Sequence, residues 1–196
     1  MNNTIKTPEA GQLVAGKGVF VGPWLPVDRE GHCLSKLFNI FAAPYDLGFD
    51  ENGQGTRRVK TYIETVNAVA RIRNLMGHDG ANYDNDTALY NALKDGSYKG
   101  KWFIPPSEIL NGTDVDMDHK IVRTATLYDL RDTGAFRGTF PPIDFYPFSV
   151  FWSSTDYLNN NKSRAYVATF RDGNGVDFCK DGARVLCRPV RLELVP

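Results

Sequence analysis

Side chains do chemistry only at particular spacings, and several clusters in this 196-residue chain come near such spacings. Gly11-Gln12-Leu13-Val14-Ala15-Gly16-Lys17-Gly18 approaches the phosphate-cradling loop G-x-x-x-x-G-K-[ST]. It lacks the hydroxyl that would hold magnesium, because Gly18 takes that place, and a strand instead of a helix is expected to follow. Asp114, Asp116 and Asp118 alternate as calcium ligands do, but His119 stands where a calcium loop turns on glycine and Ala125 where a glutamate closes the cage. A solvated acidic turn is the expectation there. Asp79, Asp84 and Asp86 invite the same thought, with Asp84 more simply a helix cap. His32, His78 and His119 are scattered, without a cysteine or second histidine at ligand spacing, so no metal site is expected. Cys33, Cys179 and Cys187 are an odd number without metal-type pairing, which fits a reducing compartment or a weak need for disulfides. Two readings stay open for Cys179 and Cys187: a bridge, or two small side chains on neighbouring strands. Ser153-Ser154 follows Trp152 directly, and paired hydroxyls at a strand end serve backbone groups more often than they attack substrates. No serine or cysteine sits in a nucleophile elbow or beside a recognisable base, so neither an enzyme nor a cofactor is expected.

Composition narrows the field further. Hydrophobic residues at 42% and charged residues at 23% are ordinary for a folded globular protein, while 18 Gly, 11 Pro and 12% aromatics suit short strands joined by many turns. The 23 basic and 23 acidic side chains cancel, leaving no long-range field to gather nucleic acid or anionic membrane. No apolar run approaches the ~20 residues that cross a bilayer, so no membrane insertion is expected. Residues 1–10 lack the basic and apolar regions of a secretory signal. The expectation is a protein kept in the cytoplasm, one that leaves inside a larger particle, or one whose leader has been trimmed.

The elements that must carry any site are legible from periodicity. The reading is one domain over residues 18–196 with an N-terminal extension over 1–17. Gly18 to Pro26 suggests a short strand ended by proline, and Leu37 to Pro44 a second, mostly buried one. Apolar positions three or four apart from Val59 to Met76 predict a helix closed by Gly77. A second helix is expected from Asp84 or Asn85 to Gly96, carrying Ala88, Leu89, Ala92 and Leu93 inward. Trp102 to Leu110 suggests a strand end running into one helical turn, with proline at the first helical position. Residues 111–144, with Pro141-Pro142, are expected to be insertion loops. After Phe148–Trp152, the runs 163–170, 176–179 and 185–194 are rich in β-branched and aromatic residues. Asp172-Gly173-Asn174-Gly175 and Asp181-Gly182 separate them, which predicts an antiparallel meander to the C-terminus.

Three short motifs stand in order along this half of the chain: Gly100-Lys101-Trp102-Phe103-Ile104-Pro105, Phe151-Trp152-Ser153-Ser154-Thr155, and Cys187-Arg188-Pro189-Val190-Arg191. Together they resemble the G-x-W-x-L-P … W-S-S-T … R-P-V-R pattern of a bacterial and phage domain family allied to the C-terminal domain of Lcl-type adhesins. More distant relatives are the formylglycine-generating-enzyme-like folds and the variable proteins of diversity-generating retroelements. The resemblance implies an α+β, C-type-lectin-like fold with two helices packed on a short antiparallel sheet and long loops. Elementary chemistry gives the motif residues structural jobs: Trp102 and Trp152 as core anchors, Arg188 and Arg191 as ties to buried carbonyls or carboxylates. The triplets E-P-N, Q-P-D and W-N-D of calcium-dependent sugar binders are missing, so calcium-bridged sugar recognition is not implied. Cys179 and Cys187 do not form the closely spaced pair of the formylglycine-generating oxidases.

In the ligand-displaying relatives the contact surface lies between the second and third motifs. Here that interval holds Tyr157, Asn159, Asn160, Asn161, Lys162, Arg164, Tyr166, Phe170, Arg171, Asp172, Asn174, Asp177, Phe178 and Lys180. Tyrosine, asparagine and arginine offer flat amphipathic area and adaptable hydrogen bonds. The competing account is a solvated loop and the outward face of a sheet. The resulting expectation is a non-enzymatic ligand-binding domain, set in a phage tail fibre, tip or decoration protein that meets a host-surface glycan or protein. Such virion proteins fold in the host cytoplasm, assemble with other particle subunits, and gain from homo-oligomers by multivalency. Alternatives are a secreted bacterial adhesin, a purely structural virion protein that packs the segment Val19 to Phe41 against a neighbouring subunit, and a formylglycine-generating-type oxidase.

Overall fold

The structure is a computed structural model and describes residues 7–26, 34–47, 61–83, 85–112, 125–140, 150–156, 164–170, 173, 175–180 and 185–196. The strands are β1 (Leu13–Val14), β2 (Gly18–Trp24), β3 (Phe38–Ala42), β4 (Asp79–Gly80), β5 (Lys101–Trp102), β6 (Val150–Asp156), β7 (Arg164–Thr169), β8 (Gly175–Cys179) and β9 (Val190–Leu194). The helices are α1 (Tyr62–Ala70), α2 (Asp86–Asp95), α3 (Ser107–Leu110) and α4 (Leu127–Leu130), with a 3-10 turn at Gly134–Phe136. The class is α+β. One antiparallel sheet runs β1-β2-β3-β9 and a second β6-β7-β8, while β4 and β5 form a short parallel pair.

β2 and β3 carry apolar residues at nearly every position, so both faces of the first sheet must be covered there. Val19, Val21, Phe38, Ile40 and Leu192 face the main core with Leu89, Leu93 and Phe103. On the other face Phe20 and Phe41 meet at 5.5 Å between ring centroids. These side chains are buried within the chain itself, so they are not available to pack against a neighbouring subunit. The Gly11–Gly18 stretch is a hairpin, not a phosphate loop: Lys17 N–H donates to the Val14 carbonyl and Gly11 N–H to that of Phe20. The boundary between residues 17 and 18 falls inside this hairpin.

α2 forms as its sequence dictates, with the Asn85 side chain accepting from Ala88 N–H and Gly96 closing the helix at φ 85°. α1 is shorter than its periodicity. It opens on a Thr61/Glu64 capping box and ends at Ala70, eight places before His78, and Gly77 does not cap it. The chain must turn there because Gly80 N–H reaches back to the Ile72 carbonyl, and the Trp102 indole takes the Leu75 carbonyl at 2.9 Å. Val59 lies outside the described residues. Pro106 occupies the cap position of α3, and Ser107 is the first helical residue. The expectation of loops across 111–144 is corrected for residues 125–140. α4 is capped by Thr126 and Asp129, and Leu127, Leu130, Phe136 and Phe140 are core residues.

β6, β7 and β8 are the expected meander, but β9 does not extend it. Leu186 still bonds to β6, through Val150 and Trp152. Val190 then exchanges both backbone hydrogen bonds with Phe103, and β9 pairs with β3 in the first sheet. Asp181 and Gly182 lie outside the described residues. The crossover is pinned by Arg188, which is wholly buried. Its Nε donates to Asp46 at 2.6 Å, and its terminal nitrogens donate to the carbonyls of Ala43, Pro44 and Thr139 and to the Thr139 hydroxyl.

Two expectations follow for stability. Arg188→Ala leaves the Asp46 carboxylate buried without its cation, and a urea titration should show unfolding free energy lowered by about 3–5 kcal/mol; a loss near zero would refute the clamp. A Cβ on Gly80 would lie 1.6 Å from the Val69 carbonyl oxygen. Gly80→Ala should therefore lower stability by more than ~4 kcal/mol in the same measurement, since backbone must move to admit it.

Candidate functional site

The W-S-S-T segment is β6 itself, and its hydroxyls face inward. Thr155 Oγ1 accepts from Ser107 N–H at 3.0 Å and from the Ser107 hydroxyl at 3.1 Å, while Ser153 Oγ accepts from Thr155 N–H. Ser154 N–H donates to the Pro105 carbonyl. Thr155 thereby bolts β6 to the start of α3; of the paired serine hydroxyls, Ser153 serves a backbone N–H as expected, while that of Ser154 is buried without a hydrogen-bond partner among the described residues. Trp102 and Trp152 are fully buried, and Arg191 donates to the Gly16 carbonyl and to Glu193. The three motifs therefore hold the two sheets together.

Of the residues proposed to meet a ligand, Tyr157, Asn159, Asn160, Asn161, Lys162, Arg171, Asp172 and Asn174 lie outside the described residues. Arg164 opens β7 and is exposed, and its Cα partner is Cys179. Lys180 follows β8, with its ammonium 4.8 Å above the Tyr62 ring and its carbonyl accepting from Tyr62 N–H at 3.0 Å. Tyr62 in turn sits edge-on to Trp152 at 5.4 Å. Tyr166 is a correction: only 7% of it is exposed, so it does not point outward. Both faces of β7 are covered, because Ala165 and Val167 pack in the second core cluster with Tyr62 and Trp152 while Ala168 packs in the first. Phe170 is likewise a core residue, 4.5 Å from Phe151. Asp177 lies opposite Tyr166 on β8.

Antiparallel pairing divides these positions between two ends of the second sheet. Arg164 and Lys180, with the chain that joins Asp156 to Arg164, belong to one end, where Asp156 pairs with Ala165. Residues 171–174 join β7 to β8 at the other end, where Ala168 pairs with Gly175. Five steps of strand separate the ends, roughly 17 Å at ~3.3 Å per residue. The second end is packed: Asn111 Nδ2 donates to the Gly173 carbonyl at 2.9 Å, and a Cβ on Gly173 would meet the Tyr128 ring at 3.0 Å. One small ligand cannot touch both ends. Sequence reasoning reads Tyr62 only as one of the periodic apolar positions of the first helix and misses its place under Lys180.

Among the described residues no group of three His, Cys, Asp or Glu side chains could hold a metal. The acidic turn at Asp114 to Asp118, His119, His32, Cys33 and Asp84 lie outside the described residues. Cys187 is a free thiol, which removes the bridge to Cys179. Burial pushes that thiol far above its ordinary range; Asp46 adds to the shift and Arg188 opposes it. A thiol held protonated is a poor nucleophile. Comparison with protein-family models and with curated proteins finds no match for this chain. No helix among the described residues is long and apolar enough to cross a membrane.

A thiol-directed reagent should leave Cys187 unmodified in the folded protein at neutral pH and label it only after unfolding. Because the thiol's pKa is raised in the fold, its contribution to stability is complete below about pH 9 and is lost as pH rises beyond that value. Urea titrations across this range should show the fall, and Cys187→Ala should reduce it.

Proposed function

We propose that the chain is a non-enzymatic ligand-binding domain of the C-type-lectin-like kind. In this reading it serves as a receptor-binding part of a phage virion, in a tail fibre, tip or decoration protein. It meets a host-surface glycan or protein at the end of the second sheet marked by Arg164 and Lys180. The observation that carries the reading is that two cationic residues, Arg164 at the start of β7 and Lys180 just after β8, stand at the same end of the second sheet, with Lys180 over a tyrosine that rests on the buried Trp152. A rigid sheet end of this kind holds contact residues at low ordering cost. Tyr157, the three asparagines and Lys162 belong to the chain that springs from the same strand ends, and they supply adaptable polar contact in this proposal. The order of the W-S-S-T and R-P-V-R motifs supports the same family of folds. Arg171, Asp172 and Asn174 join strands at the far, packed end, so they are assigned no share of the ligand.

The test is a glycan-array and host-cell binding screen with the purified chain, run with and without a chelator. Calcium-independent binding is expected. Arg164→Ala and Lys180→Ala should each weaken it by about tenfold or more, as truncation of a central contact does. Asn174→Ala should leave it unchanged. Binding that survives both charge removals would overturn the assignment of the site, and absence of binding to any cell or glycan would overturn the function.

A further inference from the structure

His78 ends the turn that follows α1, and that turn is strained. Asn74 and Met76 both hold left-handed backbone angles, φ 54° and 52°, a conformation that costs a non-glycine residue about 1–2 kcal/mol. Hydrogen bonds keep it: Asn74 N–H donates to the Asp79 carboxylate at 3.1 Å, and the Leu75 carbonyl accepts from the Trp102 indole at 2.9 Å and from His78 N–H at 3.0 Å.

The imidazole reaches from this turn to a different element. Its Nε2 lies 3.2 Å from the Gly16 carbonyl oxygen in the β1–β2 turn, and Nη1 of Arg191 on β9 lies 3.1 Å from the same oxygen. A carbonyl only accepts, so Nε2 must carry the hydrogen and neutral His78 is left with its acceptor at Nδ1. Two hydrogen bonds to one oxygen also keep imidazole and guanidinium nitrogens within roughly 6 Å of each other. Nδ1 faces Gly100, where an added Cβ would lie 3.3 Å away. The charges that act on it are Arg191 and Glu193 of β9; Lys17 of the β1–β2 turn is held by Glu193, and Asp79 follows His78 in the chain with Lys101 as its Cα partner. Glu193 is already shared between Lys17 and Arg191, and Asp79 is engaged by Asn74. A proton on Nδ1 therefore sets a second positive charge beside Arg191.

We propose that His78, Gly16 and Arg191 form an acid-sensitive clasp: it holds the N-terminal hairpin against the β4–β5 segment at neutral pH, and it loosens when His78 gains a proton beside Arg191. Burial and then the Arg191 charge hold the His78 pKa below its ordinary value, against the opposing effects of the Gly16 bond and Glu193. The opened state then takes the proton more readily than the closed one. The clasp's contribution is complete above about pH 6.5 and is lost as pH falls through the lowered value. It does not depend on what the Arg164 and Lys180 end binds.

Hydrogen exchange on the full chain reads the clasp directly. Corrected for intrinsic chemistry, the hairpin amides of Gly11, Lys17 and Phe20 should exchange severalfold faster at pH 5 than at pH 7.5, while those of β6 and β7 keep their protection. His78→Gln retains an N–H donor without a titrating group, and its hairpin amides should be equally protected at both values. Unchanged protection in the wild type, or a wild-type response in the glutamine variant, would overturn the clasp. Should that variant fail to fold, an NMR titration of the wild-type His78 ring decides: a midpoint below about 6.5 tracked by the hairpin amides supports it, and a higher midpoint or untracked amides refutes it.

Discussion

Arg188 carries a charge that cannot be removed at any pH a cell meets, and it is wholly enclosed. A buried guanidinium is tolerable only when its donors are satisfied, and here the acceptors come from two distant segments, around Ala43 to Asp46 and at Thr139. Its flat face rests 4.0 Å from the Phe140 ring centroid. One side chain therefore gathers the exit of β3, the segment after the 3-10 turn, and the crossover between the sheets. If any of these drew away, a charge would be left in the interior without compensation, at several kcal/mol.

That constraint shapes the rest of the molecule. With Arg188 fixed, Leu186 behind it is drawn along β6 and Val190 ahead of it against Phe103, so the last strand joins the first sheet. Arg191, three places on, then lies over the face of Phe41 and Trp102 and reaches Gly16. The same arrangement leaves the second sheet with two unlike ends. One is packed on Asn111 and Tyr128, and the other presents Arg164 and the Lys180–Tyr62 pair. The proposal for ligand contact rests on that asymmetry.

Local signals were legible wherever a few neighbouring residues settle the backbone. Asn85 and Gly96 bracket α2 because a side-chain oxygen and a missing Cβ act within one turn, and Gly173 at φ 76° turns the chain between β7 and β8 for the second of those reasons. The end of α1 was not legible: its apolar spacing continues past Ala70, but contacts from Gly80 and Trp102, far along the chain, break the helix. Residues 125–140 misled because short capped turns carry little periodicity, although Leu127 and Phe136 are deeply buried. The candidate site was legible only as a composition of tyrosine, asparagine and charge. Which of those residues share an end of the sheet depends on strand register.

The order of residues by itself determined the α+β class, the strands β2, β3, β6, β7 and β8, the second helix, and the structural roles of Trp102, Trp152 and Arg188. Each of these follows from burial, capping or turn chemistry acting over a few residues or, for Arg188, from the need of a buried guanidinium for acceptors. Only the tertiary structure decided that β9 crosses to the first sheet, that Tyr166 turns inward, and that Tyr62 supports Lys180. Those outcomes depend on contacts between segments up to about 150 residues apart, as between Ala43 and Arg188, and no periodicity encodes which distant partner a strand or a ring will meet.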